Sequence, residues 1–207
     1  MLERTCKEYI DELASPAPVP GGGSVSGLTG ALGTALAEMA LNLSSGKKSL
    51  AGKEEQISSL LERFCSCRRM FAELSEQDAQ GFKALSAVYG MRAETEAEKE
   101  EKAEKLEKAL AVSAEAPYGI LKLTGELAAV LPEVCACTTK TMKSDVYCAV
   151  SLCAATAECA YINVLANTRL MKDREYALRI NDECCRTLTD VQTACRRLLK
   201  EIEEVLG

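Results

Sequence analysis

No histidine occurs among the 207 residues, so acid–base chemistry falls to Asp, Glu, Lys, Tyr, Cys or the substrate itself. Four polar residues stand out in apolar runs: Ser24 and Asn42 in one, Asp145 and Asn163 in the other. Each pair is about five helical turns apart, so its members share a face but lie roughly 27 Å apart along it. Neither pair can converge on one reacting centre within its own helix. If the two helices run antiparallel, Asn42 and Lys47 fall near Asp145, and the residues before Ser24 fall near Asn163. Capping competes with function here, because Ser144 or Asp145 at a helix start also favours the dipole. Asp78, Glu38 and Glu158 are further acids for which a site role and plain solvent exposure both stay open. Lys47-Lys48 is either a solvated turn or a cationic contact for a carboxylate.

The approach to Ser24 is unusual: Pro18-Val19-Pro20-Gly21-Gly22-Gly23-Ser24. Two prolines stiffen the chain and three glycines free it. Ser24 then suits the N-cap of a helix. The exposed N–H groups of such a start can hold an anionic ligand group. The competing reading is that the glycines only let another helix come close. Gly27, Gly30 and Gly33 extend the stripe at helical spacing, which implies a close backbone contact.

These residues need long helices to position them. The composition is 47% hydrophobic but only 4% aromatic, without Trp, so the core must be filled by small and aliphatic side chains. Helices are expected over 2–14, 24–45, 50–88, 94–131 with a bend at Pro117, 144–171, and from an Asp173 cap to the end. Pro132 is expected to close the fourth. Glu98–Lys102, Glu101–Lys105 and Glu104–Lys108 are i,i+4 pairs of favourable order, which mark a solvated face. Strand alternation and repeats are absent from the pattern. The reading is one all-α domain over 1–207, an antiparallel bundle.

A net charge of −6 argues against general nucleic-acid binding. The apolar runs carry Glu38 and Glu158 and read as buried helices, not membrane spans. With no secretory signal in the charged first residues, the 11 cysteines are expected reduced, in the cytoplasm. Cys65-Ser66-Cys67 and Cys135-Ala136-Cys137 lack zinc-ribbon spacing, so no metal is expected. Tyr118 and Lys122 match a Tyr-x-x-x-Lys pattern of α/β enzymes, but without βαβ context the match reads as chance.

Taken in order, Pro20 to Ser24, Ala40-Leu41-Asn42-Leu43, Gly46-Lys47-Lys48, Asp78 with Phe82, Pro117, Ser144-Asp145, Asn163-Val164 and Leu170 to Asp173 resemble the formiminotetrahydrofolate cyclodeaminase / methenyltetrahydrofolate cyclohydrolase family. The chain departs from that pattern at Thr139 and Thr141, at Ser49-Leu50 and at Gly90-Met91. The resemblance implies an all-helical homodimer that binds a reduced folate near the subunit interface, without metal or other cofactor. It implies Asp145 as the main acid–base or cation-stabilising group, held by Ser144, with Lys143 and Asp78 as further catalytic candidates. Gly21, Gly22, Gly23, Ser24, Asn42, Lys47 and Asn163 would position the folate. Cyclodeaminase comes first, cyclohydrolase second; a non-catalytic folate-binding or structural helical dimer is the reading of another class.

Overall fold

The computed structural model describes residues 2–207. Among them lie seven α-helices, two short 3-10 turns and no strand. The helices are α1 (Cys6–Leu13), α2 (Gly22–Ser44), α3 (Glu54–Tyr89), α4 (Glu96–Ala128), α5 (Leu131–Ala136), α6 (Lys143–Thr168) and α7 (Arg174–Leu206). The expected all-α bundle is what forms.

Side-chain caps set three of the seven helix starts among the described residues. Thr5 and Glu8 form a capping box on α1, and Thr95 and Glu98 form one on α4. Asp173 caps α7 as expected, accepting the Tyr176 N–H at 2.9 Å. Because Glu98 is used in its cap, it does not pair with Lys102. Lys102 instead donates to the Tyr89 and Met91 carbonyls and ties down the α3–α4 turn. The Glu101–Lys105 and Glu104–Lys108 pairs form as the spacing implies. Pro132 does not simply end α4. It sits in the first turn of the separate α5, where proline's missing N–H costs nothing. Pro117 lies inside α4 and leaves the Ser113 carbonyl without its helical donor. That carbonyl accepts from the Asn167 side chain at 3.2 Å.

Helix α2 runs through the middle, packed on α3 and α6. Its polarity against α6 is fixed by three contacts. A Cβ at Gly22 would stand 3.2 Å from Asn163, and one at Gly33 would stand 3.1 Å from Leu152. At the far end Ser44 Oγ accepts the Thr139 N–H at 3.0 Å. The helices are therefore antiparallel, with the glycine turn beside Asn163 and Asn42 at the Asp145 end. The glycine stripe meets α3: a Cβ at Gly30 would come within 2.7 Å of the Phe71 ring. Ala37, Ala40, Leu41, Phe64, Ile120, Val146 and Val150 fill the core between these helices. Helix α6 is apolar and long enough to span a membrane, but its packing on α2, α4 and α7 accounts for that composition.

Candidate active site

Ser24 is not an N-cap. The helix starts two residues earlier, with Gly21 as a cap that offers no side chain. The Ser24 hydroxyl reaches α3 instead and donates to Asp78 Oδ2 at 2.9 Å. The Ser24 backbone N–H also donates to Asp78, while the Ser24 carbonyl accepts from Ser75 Oγ at 2.7 Å. The first turn of α2 is thus clamped onto α3. Its positive end faces a carboxyl of the protein itself, that of Asp78. Gly23 permits this approach, since a Cβ there would lie 2.0 Å from Asp78 Oδ1. The glycine turn is therefore a close-packing device first, and the Ser24 residue that follows it is turned to the Asp78 carboxyl.

Burial pushes the Asp78 carboxyl above the ordinary Asp range; the two Ser24 hydrogen bonds oppose the rise without cancelling it. Asp78 opens onto a cleft lined by the glycine turn, Phe82, Ser113, Asn163 and Asn167, with no Lys or Arg among its lining residues. Asn163 Nδ2 donates to the Cys159 carbonyl at 2.7 Å, and Asn167 bridges Ser113 and Asn163 through their carbonyls. These bonds hold two carboxamides in fixed orientation on one side of the cleft. Phe82, 40% exposed, offers an aromatic surface one turn beyond Asp78. The cleft thus combines a proton donor or acceptor, two amides and an aromatic face. Asn167 and Ser113 were not anticipated; the signal for Asn167 was its place one turn after Asn163 on the same face.

The other expected site residues lie at the opposite end of α2 and α6. Asp145 is half-buried in the first turn of α6, Ser144 is exposed, and neither caps the helix. Asn42 and Lys47 are exposed. Lys143 is engaged structurally: its ammonium donates to the Cys135 and Thr138 carbonyls and holds the segment before α6. Asp145 therefore does not share a cleft with the glycine turn in one chain, and Asp78 takes that place. Glu38 and Glu158 are spoken for as well, by Arg68 at 2.7 Å and Gln192 at 2.9 Å. Tyr118 donates to Glu183 at 2.6 Å, and its phenol is pushed up to about 12 by burial and by that carboxylate. Lys122 stands over its ring, so the Tyr-x-x-x-Lys pair is a contact within α4 whose phenol is tied to α7.

A helical bundle whose cleft holds a half-buried carboxyl with a raised pKa, flanked by oriented amides, has the makings of a small-molecule site. Residues 5–186 match the family described as Formiminotransferase-cyclodeaminase, and the chain belongs to it. It is 31% identical over 173 residues to the methenyltetrahydrofolate cyclohydrolase of Methylorubrum extorquens, covering 84% of this chain and 83% of that one. Pig formimidoyltransferase-cyclodeaminase is 23% identical over 203 residues; the match takes in 98% of this chain but 38% of the pig protein. The crystal structure of formiminotetrahydrofolate cyclodeaminase from Thermotoga maritima superposes with a TM-score of 0.87, at 26% identity and over the full length of both chains.

Proposed function

We propose that this protein is a folate one-carbon enzyme, a formiminotetrahydrofolate cyclodeaminase, whose proton-transfer group is Asp78. The observation that carries the reading is the half-buried Asp78 carboxyl, fixed by Ser24 and facing the cleft with Asn163. In the reaction N10 of the substrate attacks the formimino carbon on N5, and a C–N bond forms. The tetrahedral carbon then expels ammonia as the second C–N bond breaks. Between these steps one proton must leave N10 and one must reach the departing amine. A carboxyl with a raised pKa is suited to both, because its acid form gives up a proton less readily and its base form takes one more readily than an ordinary Asp. The carboxylate form also stabilises the cationic amidine that results. Phe82 and the two amides would seat the ring system.

Cyclohydrolase activity is the second reading, favoured by the identity to the Methylorubrum enzyme. It passes through a similar tetrahedral carbon, with water in place of the amine. Steady-state assays with 5-formimino- and 5,10-methenyltetrahydrofolate separate the two. Turnover of the first with release of ammonia is expected, and no turnover of either would reject the enzyme reading.

The working form in this proposal is a cytoplasmic homodimer. Leu32, Met39 and Leu43 on α2 and Ile162 on α6 are exposed, and they give the two neighbouring helices an apolar outer face suited to a second copy. A two-fold axis crossing α2 and α6 near mid-length reverses both helices. It would set Asp145 of one subunit beside the glycine turn of the other. Asn42, Lys47 and Ser144 would then contribute to folate binding across the interface, at the glutamate end of a long ligand.

A further inference from the structure

Asn167 is the most fully committed amide of the cleft. Its Nδ2 donates to the Ser113 carbonyl at 3.2 Å and to the Asn163 carbonyl at 3.0 Å. A carboxamide has two N–H donors, so both are spent. Both partners are carbonyl oxygens, which only accept, and this fixes which way the amide faces. Its Oδ1 takes no donor from the described residues. Asn167 is thus half-buried on the wall of the cleft with one open side-chain polar atom, an acceptor. The arrangement begins at Pro117, one turn after Ser113 on α4. Proline has no N–H for the Ser113 carbonyl, and Asn167 supplies one from α6.

The other polar side chains of the lining have the same bias. Ser113 Oγ donates to the Gly81 carbonyl at 3.0 Å. Asn163 spends one donor on the Cys159 carbonyl and keeps an open Oδ1. Asp78 adds a carboxyl, and no Lys or Arg lines the cleft. Side chains rich in acceptors and without cations fit an uncharged ligand edge made of N–H donors. They do not fit a carboxylate tail.

We propose that Asn167 is a specificity-determining residue: its Oδ1, held by the carbonyl that Pro117 frees, accepts from the exocyclic amino group of the ligand's 2-amino-4-oxopyrimidine ring. The inference rests on the folate reading and deepens it. It sets the amino end of the pteridine against α6 and leaves the reduced ring for Asp78. An analogue without the amino group would leave Oδ1 facing it unpaired, and a site built to meet a donor rejects a ligand that lacks it.

The test is calorimetric titration of the full-length protein with two probes, folinic acid and its 2-desamino-2-methyl analogue. The parent should bind the analogue roughly ten- to a hundredfold more weakly. A plain Asn167 substitution would orphan the Ser113 carbonyl, so the variants carry their own remedy. In Pro117→Ala the N–H of residue 117 can take over that carbonyl, and the double variant Pro117→Ala/Asn167→Leu then leaves nothing unpaired there. The double variant should match the Tm of Pro117→Ala and bind the two probes about equally, the loss falling on folinic acid. A double variant that keeps the parent's preference would overturn the role of Asn167 and leave the folate reading intact. Equal binding of both probes by the parent would do the same without any substitution. A parent that binds neither probe would remove the folate reading and this inference with it.

Discussion

Asp78 is held in a position that is costly for folding and useful for proton transfer. Its folded pKa lies above the unfolded value, with burial the cause. The sign of the linkage follows from that. The favourable contribution is complete below the ordinary carboxylate pKa and is lost as pH rises through the folded value. Above that value the buried charge works against the fold. Asp78→Asn keeps the size of the side chain and an acceptor for the Ser24 hydroxyl, but cannot ionise. It should therefore be at least as stable as the parent at pH 8, with the difference shrinking towards about pH 4. Turnover should fall by roughly a hundredfold or more, as for loss of a general acid–base group. Thermal unfolding at both pH values, beside steady-state kinetics, checks the pair of outcomes. Equal losses of stability and activity would make Asp78 a structural acid. The sequence marked Asp145 more strongly than Asp78, because Asp145 interrupts the approach to an apolar run. Asp78 follows Glu76 and Gln77 on a long amphipathic helix and looks like surface. Only the docking of α2 on α3 buries it, and no local spacing encodes that contact.

At the scale of elements, the glycine turn acts through space and not through flexibility. Gly21, Gly22 and Gly23 stand side by side, yet a Cβ at Gly21 would meet nothing within 4 Å and one at Gly23 would meet Asp78 at 2.0 Å. Gly21→Ala should leave stability close to the parent. Gly23→Ala must push α2 off α3, at about 1–3 kcal/mol. That corresponds to a Tm lower by roughly 2–10 °C for a chain of this size. Activity should drop with it, because the Ser24 bonds to Asp78 are the first to lengthen. Differential scanning calorimetry of the two variants tests this, and equal effects would point to backbone freedom instead. Most of the helical frame was legible beforehand. The 3.6-residue spacing placed α2, α3, α6 and α7 within a few residues, and the antiparallel order put Asn163 beside the glycine turn. Two local signals were read wrongly for the same reason. Ser24 has the residue type of an N-cap, but a carboxylate 54 residues away takes its hydroxyl. Pro132 has the residue type of a helix stop, but the chain resumes as α5 around it. In both places a tertiary contact or a second element competed with the nearest local solution.

The whole molecule has its two polar ends on opposite sides of one apolar face. The glycine turn, Asp78 and Asn163 are at one end of α2 and α6; Asn42, Lys47, Ser144 and Asp145 are at the other. Within one chain no ligand group bridges both at close range, since the separation is roughly 27 Å. The proposed two-fold dimer removes that separation by bringing Asp145 of one subunit to Asp78 of the other. Each site then draws one carboxylate from each chain, and this arrangement has a consequence that a self-contained site lacks. Asp78→Asn and Asp145→Asn homodimers should both be inactive, with both sites damaged. A mixed dimer has one site carrying both substitutions and one site carrying neither. Co-refolding the two variants in equal amounts should therefore restore about one quarter of the parent activity, because half the dimers are mixed and half their sites are intact. Leu32→Glu, which places a charge on the exposed apolar face, should yield monomers by sedimentation and abolish the restoration. If both acids served one site within a single chain, every site would carry a damaged residue and mixing would restore nothing.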